Sequence, residues 1–287
     1  MKKIHVGFLL SYDYELLKKS LPTVYQDADR IFLARDKELR TWKGQTFTID
    51  SAFYDWLKAF DVDDKIEIYE DDFYVPELST MENDTRERTM LSQKMGIGNW
   101  LIQVDSDEYF IDFKKFVADL RKYDHYLDNP EKNKIQIFAF WLIIYKYTQN
   151  GILYVDQPQK AVFATNYPNY TQARRTSERV IYVDSLVLHE SVARSESELR
   201  FKIENWSHNV DVNPDFLDKW IQVDETNYEQ MTDYYYIEPE RWKKLSYFPT
   251  HDIAEIKNFM AGSANLKITK TFIALKNFGQ WFKFLFK

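Results

Sequence analysis

The segment Trp100-Leu101-Ile102-Gln103-Val104-Asp105-Ser106-Asp107-Glu108-Tyr109-Phe110 constrains this chain more than any other. It begins as a mostly apolar run short enough to be one buried strand, and the carboxylates Asp105, Asp107 and Glu108 follow where that character stops. Ligands of an open α/β sheet bind outside the carboxyl ends of its strands. Acids at such an end are therefore placed to hold a hard divalent cation against a phosphate-bearing substrate. The plainer alternative is an acidic turn that caps the following helix, because Asp is a common turn and N-cap residue.

The flanking pattern favours a sheet. Residues 4–10 predict a buried first strand, residues 15–24 a short helix disturbed at Pro22, and residues 31–34 a second strand ending at Arg35-Asp36. Two strands around a helix make a βαβ unit, the opening of a nucleotide-binding half-fold. No Gly-x-Gly-x-x-Gly follows the first strand, and the whole chain has 7 glycines, so phosphates must be neutralised in another way. Residues 50–60 read as an aromatic amphipathic helix and residues 65–69 as a third strand. Asn83-Asp84-Thr85 is the expected cap of a helix through Met95, stopping at Gly96 or Gly98 and feeding the strand that ends in the acids. A helix over 112–123, a long apolar strand over 134–147 and short strands over 152–155 and 180–183 follow, the last continuing into Leu188-His189-Glu190. Residues 195–257 read as helix and loop. The expected organisation is one domain over 1–261 with a tail over 262–287.

Composition sets limits on function. A net charge of −7 argues against general nucleic-acid binding, which needs Lys and Arg in excess. There is no cysteine, hence no disulfide and no thiolate site, and a cytoplasmic location is the expectation. No stretch of about 20 apolar residues occurs. Aromatic residues make up 17%, a share that suits ring stacking on sugars or bases as well as an aromatic core.

The order of these parts resembles the GT-A fold of nucleotide-sugar glycosyltransferases, and within it the glycosyltransferase family 2-like proteins. The resemblance rests on residues 4–10, on Asp36, and on the block from Thr85-Arg86-Glu87-Arg88 through Gly98-Asn99-Trp100 to Asp105-Ser106-Asp107. That block is similar to the family's Arg-bearing helix, small-residue stop and Asp-x-Asp motif. The resemblance covers residues 4–110 and implies an α/β, Rossmann-like mixed central sheet flanked by helices. It also implies metal-dependent transfer of a sugar from a nucleoside-diphosphate sugar to a glycan or lipid-linked acceptor, as in bacterial surface-polysaccharide synthesis. Asp107 would then bind Mn²⁺ or Mg²⁺, Asp105 the ribose or the metal, and Asp36 the base. Arg88, or Arg86 if the register slips, would face the nucleotide. Glu190 is the expected general base, His189 a further metal ligand or phosphate donor, and Arg194, Lys202 and His208 are weaker candidates for the diphosphate; Asp184 and Asp156 are next in line as base. Adjacent residues of an extended strand face opposite ways, so His189 and Glu190 share a site only if the strand has ended.

Two other readings stand beside this one. One is a phosphatase or phosphotransferase with Asp105 as nucleophile and Asp107 as acid, although Tyr109 stands where such enzymes usually carry Thr or Val. The other is a sugar-nucleotide-binding module of GT-A shape without turnover. The tail carries Lys267, Lys270, Lys276, Lys283 and Lys287 and no acid. As a helix it gathers Lys276, Lys283 and Lys287 within about 40°, with Leu275, Phe278, Trp281, Phe282, Leu285 and Phe286 on the other side and Lys270 outside the stripe. The expectation is a basic amphipathic helix in peripheral contact with an anionic membrane; the alternative is a helix docked on the domain.

Overall fold

A computed structural model describes residues 2–252 and 266–284, together with Glu255, Ile256, Asn258 and Ser263. Apolar alternation and burial lay down β1 (Ile4–Leu9), β2 (Arg30–Asp36), β3 (Ile66–Asp71) and β4 (Trp100–Gln103), all parallel, with β1 paired to both β2 and β4. A three-residue β5 (Glu108–Phe110) follows the acidic turn, and β6 (Ile135–Tyr147) and β7 (Ile152–Val155) form an antiparallel pair. Next come β8 (Gln159–Thr165), antiparallel to both β4 and β6, and β9 (Arg179–His189), parallel to β6 and antiparallel to β5. β10 (Leu245–Phe248) closes the far edge against β7. The result is one mixed sheet in the order β10-β7-β6-β8-β4-β1-β2-β3, with β5 and β9 off that path.

Helices cover both faces. On one face α1 (Leu17–Tyr25), α2 (Ser51–Phe60) and α4 (Phe113–Arg121) bury Leu21, Phe53 and Phe116 against Val6, Phe8 and Ile102. On the other, α3 (Thr80–Met95) lays Leu91 and Met95 over Leu9, Phe32 and Leu101. Each such side chain contributes about 1.5–3 kcal/mol when fully buried. A second core, with Trp220, Tyr234 and Trp242, packs on β6 and β7, fed by α5 (Glu196–Asn205) and α6 (Phe216–Gln222).

The structure corrects three local expectations. β8 and β10 were not foreseen: one opens on the polar Gln159-Lys160, and the other is a four-residue strand inside a segment that reads as helix and loop. The cap of α3 is Ser79, whose hydroxyl accepts from the Glu82 N–H while the Glu82 carboxylate accepts from the Ser79 N–H. Asn83 lies inside that helix, fully buried, tying down the backbone of Val75, Leu78 and Trp42.

In the tail, α7 (Lys270–Phe284) packs along β9. Its Asn277 holds the backbone of Tyr182 twice, donating Nδ2–H to the carbonyl at 2.9 Å and accepting the N–H at 2.7 Å. Leu285, Phe286 and Lys287 lie outside the described residues. Among the described residues no helix is long and apolar enough to cross a membrane.

Close approach of α3 to β1 is what sets the carboxyl ends of β1 and β4 beside Arg88. A Cβ on Gly7 would meet Leu91 Cδ2 and Met95 Sδ at 2.8 Å, both in the buried core. Gly7→Val should therefore cost about 1–3 kcal/mol of stability through overpacking, read as a lowered urea midpoint at unchanged slope.

Candidate functional site

Outside the carboxyl ends of β1, β2 and β4 lies a cavity of about 560 Å³. Asp105, Asp107, Arg88, Lys202 and His189 all face it. The turn between β4 and β5 shapes its floor. Glu108, completely buried, accepts from the Asp105 N–H at 2.9 Å while its own N–H donates to the Asp105 carbonyl. Arg174 donates to both Glu108 oxygens and to the Gln103 carbonyl, and Trp141 Nε1–H donates to Glu108 at 2.8 Å. The last acid of the triplet is thus the anchor that presents the first two.

Asp105 and Asp107 are met by cations. Arg88, oriented by Asp84, donates to Asp105 at 2.8 Å, and Arg174 stands 3.8 Å away. Burial pushes the Asp105 carboxyl up, but these two guanidiniums outweigh it and hold it at about 2. Asp107 accepts at Oδ2 from Arg194 (2.7 Å) and Lys202 (2.8 Å), and its Oδ1 lies 3.4 Å from His189 Nε2. Its pKa is driven upward by burial and more strongly downward by Lys202, His189 and Arg194, and ends well below the carboxylate range. Arg194 also holds Asp13, and Lys202 the Ser191 carbonyl.

Other expected residues sit elsewhere or do other work. Asp36 borders the cavity, yet both its oxygens are taken by the Arg40 guanidinium and by backbone N–H groups of residues 38, 40, 73 and 74, which makes it a loop anchor. Arg86 faces away and clamps the carbonyls of Asp72 and Phe73. Glu190 corrects the expectation of a general base: β9 stays extended through His189, so Glu190 turns to the opposite side, where Tyr147 O–H and Lys19 bind it. Asp156 accepts from Ser246 and Asp184 from Lys115, both away from the cavity. His208 does face it, with Nδ1 3.2 Å from Asp211.

Sequence reasoning missed three things here. Arg174 came from a polar segment with no periodic signal. Glu87 lines the cavity and accepts from Trp42 Nε1–H at 2.6 Å; burial raises its pKa to about 8 against that hydrogen bond, and Asp84 adds to the rise. The wall contributed by Trp141, Tyr182, Trp206, Tyr235, Tyr236 and Trp242 is aromatic, and among the described residues lining the cavity no carboxylate follows Asp107 in the chain.

Among the described residues no group of three or more His, Asp or Glu side chains is arranged to hold a metal ion by itself. Mg²⁺-like ions, however, are commonly held by one or two carboxylates with substrate phosphates completing the shell, and Mn²⁺ accepts imidazole as well. Asp107 Oδ1 and His189 Nε2, 3.4 Å apart, are placed to supply two ligands of such a partial set, with Asp105 lining the same cavity; His189 Nδ1 is buried without a hydrogen-bond partner.

No protein-family model matches the chain, and no curated protein matches it in sequence. Among solved structures it is similar to a mannose-6-phosphate isomerase from Helicobacter pylori, with a TM-score of 0.30 and 12% identity, over 54% of this chain and 56% of that one.

Two outcomes follow from these charges. Asp107→Asn should lower stability by about 3–5 kcal/mol, because Arg194 and Lys202 stay buried with their shared counter-charge gone; denaturant titration measures it. Glu87 ionises near its ordinary 4.5 when unfolded and near 8 when folded, so across that window only the unfolded chain loses the proton and stability falls as pH rises. Glu87→Gln removes this penalty. Its melting temperature should overtake the parent's progressively between these pH values, with a gain of at least about 1 kcal/mol by pH 8.

Proposed function

We propose that this chain is a glycosyltransferase of GT-A type, similar to the family 2-like proteins, that moves a sugar from a nucleoside-diphosphate sugar to a hydroxyl of a glycan or lipid-linked acceptor. The observation that carries the reading is the pair Asp105 and Asp107 at the carboxyl end of β4, opening onto one cavity that joins a cationic floor to an aromatic wall.

Departure of a nucleoside diphosphate concentrates negative charge on its phosphate oxygens, and fixed donors aimed at that charge lower the barrier. Lys202 faces the cavity, with Arg88 and Arg174 beside it. Asp105, Asp107 and His189 would hold a Mn²⁺ or Mg²⁺ ion, which supplies further charge stabilisation when bound. Trp141, Tyr182 and Trp242 line the cavity, and aromatic side chains suit a sugar ring, whose C–H faces pack on aromatic surfaces. An acceptor hydroxyl on that side needs a group to take its proton, and His208, with Nδ1 3.2 Å from Asp211, faces the cavity and can take that part. Fixation of Nδ1 by a carboxylate leaves Nε2 as the acceptor.

A phosphatase reading needs Asp107 as proton donor. Asp107 Oδ2 already accepts from the cations Arg194 and Lys202, and its Oδ1 lies 3.4 Å from His189, which suits an acceptor and not an acid.

The test is a panel of nucleoside-diphosphate sugars with Mn²⁺, scored by thermal shift and by release of nucleoside diphosphate. At ligand well above its dissociation constant the fold should gain a few kcal/mol. His208→Gln should keep the thermal shift and lose about 10²–10⁴-fold in transfer. A panel that neither stabilises the protein nor yields nucleoside diphosphate sinks the reading.

A further inference from the structure

Helix α7 meets the protein with its less apolar side. At about 100° per residue, Ile273, Lys276, Asn277 and Gln280 fall together, and these are the half-buried positions that face β9. Phe272, Leu275, Phe278, Trp281 and Phe282 span an arc of about 180° on the opposite side. They point outward, with Leu275 67%, Phe278 63% and Trp281 50% exposed. Ordinary docking buries such a stripe. Here a polar clamp, Asn277 on the Tyr182 backbone, fixes the helix and leaves the rings outside.

Charge is arranged around the same arc. Lys270 borders it beside Trp281, and Lys276 and Lys283 border it beside Phe272. Residues 262–287 contain no acid, while the chain as a whole is acidic. Lysines at both margins of an apolar face can lay their stems along a bilayer surface and keep their ammonium groups at the phosphates.

The position of the helix adds a link to the cavity. Tyr182, whose backbone Asn277 holds, lines the cavity wall, and so does Lys160, which lies beside Lys276. Phe272 touches Phe140, which in turn touches Tyr182. The outward rings and the aromatic wall are thus two sides of one unit.

We propose that the outward face of α7 is a docking surface for an anionic phospholipid bilayer, seated so that the aromatic end of the cavity opens beside the lipid headgroups. For the transferase proposed above, on which only this second clause rests, the acceptor is then a lipid-linked molecule whose polar head enters past Lys160 and Tyr182. The charge match commits the surface to anionic lipid: rings enter the interface, and each lysine near it adds electrostatic attraction to the headgroups.

Flotation of the full chain with vesicles of phosphatidylglycerol and phosphatidylcholine, against phosphatidylcholine alone, tests the docking. The chain should float with the anionic vesicles at low salt and be released as salt rises. The double variant Phe278→Ser, Trp281→Ser changes only exposed positions; it should keep the parent's melting temperature and bind the anionic vesicles roughly tenfold or more weakly. Equal flotation of variant and parent, or a parent that ignores anionic vesicles, overturns the proposal. So does a dimer that the double substitution dissolves while vesicle binding is unchanged, since the face would then join two copies. Vesicle binding without any response to nucleoside-diphosphate sugars leaves the docking standing and removes the transferase.

Discussion

The buried pair of Glu108 and Arg174 is the contact on which the cavity depends. A fully buried carboxylate is tolerated only when its charge and lone pairs are met, and here Arg174, the Trp141 indole and the Asp105 backbone meet them. Those partners come from the turn after β4, from β6 and from the segment before β9. One ion pair thus fastens together the pieces that carry the acids, the aromatic wall and His189. Breaking it from either side would leave a charge stranded in the core and release the turn that aims Asp105 and Asp107.

Around that anchor, opposite charges are interleaved. Arg88 lies between Asp84 and Asp105, and Arg194 between Asp13 and Asp107. Each guanidinium has more donors than one carboxylate can use, so each serves two acids at once. The arrangement also holds these side chains against one another in fixed positions.

Much of the architecture was legible in the sequence because it rests on local pattern. The runs that became β1, β2 and β6, the Asp50-capped α2 and the acids at the end of β4 all follow from apolar periodicity and cap chemistry. The site was legible only where a residue sits at the end of such a run, as Asp105, Asp107 and His189 do. Arg174 and Glu87 gain their roles from partners far away in the chain or from burial, and no spacing rule carries that information. Glu190 shows the parity of a strand at work: one residue earlier or later decides between the cavity and the opposite face. Asp36 was placed correctly at a strand end, but a satisfied carboxylate looks the same in sequence as a waiting one.

Asn277 also has a meaning for the solubility of the chain. Where β9 passes Tyr182, its outer N–H and carbonyl are the kind of unpaired rim to which a strand from another molecule can add. A side-chain amide offers one donor and one acceptor with the spacing of a peptide group, and Asn277 uses both on that residue. A helix has thereby taken the place of a neighbouring strand, and the sheet is closed to strand addition at this point by a single side chain.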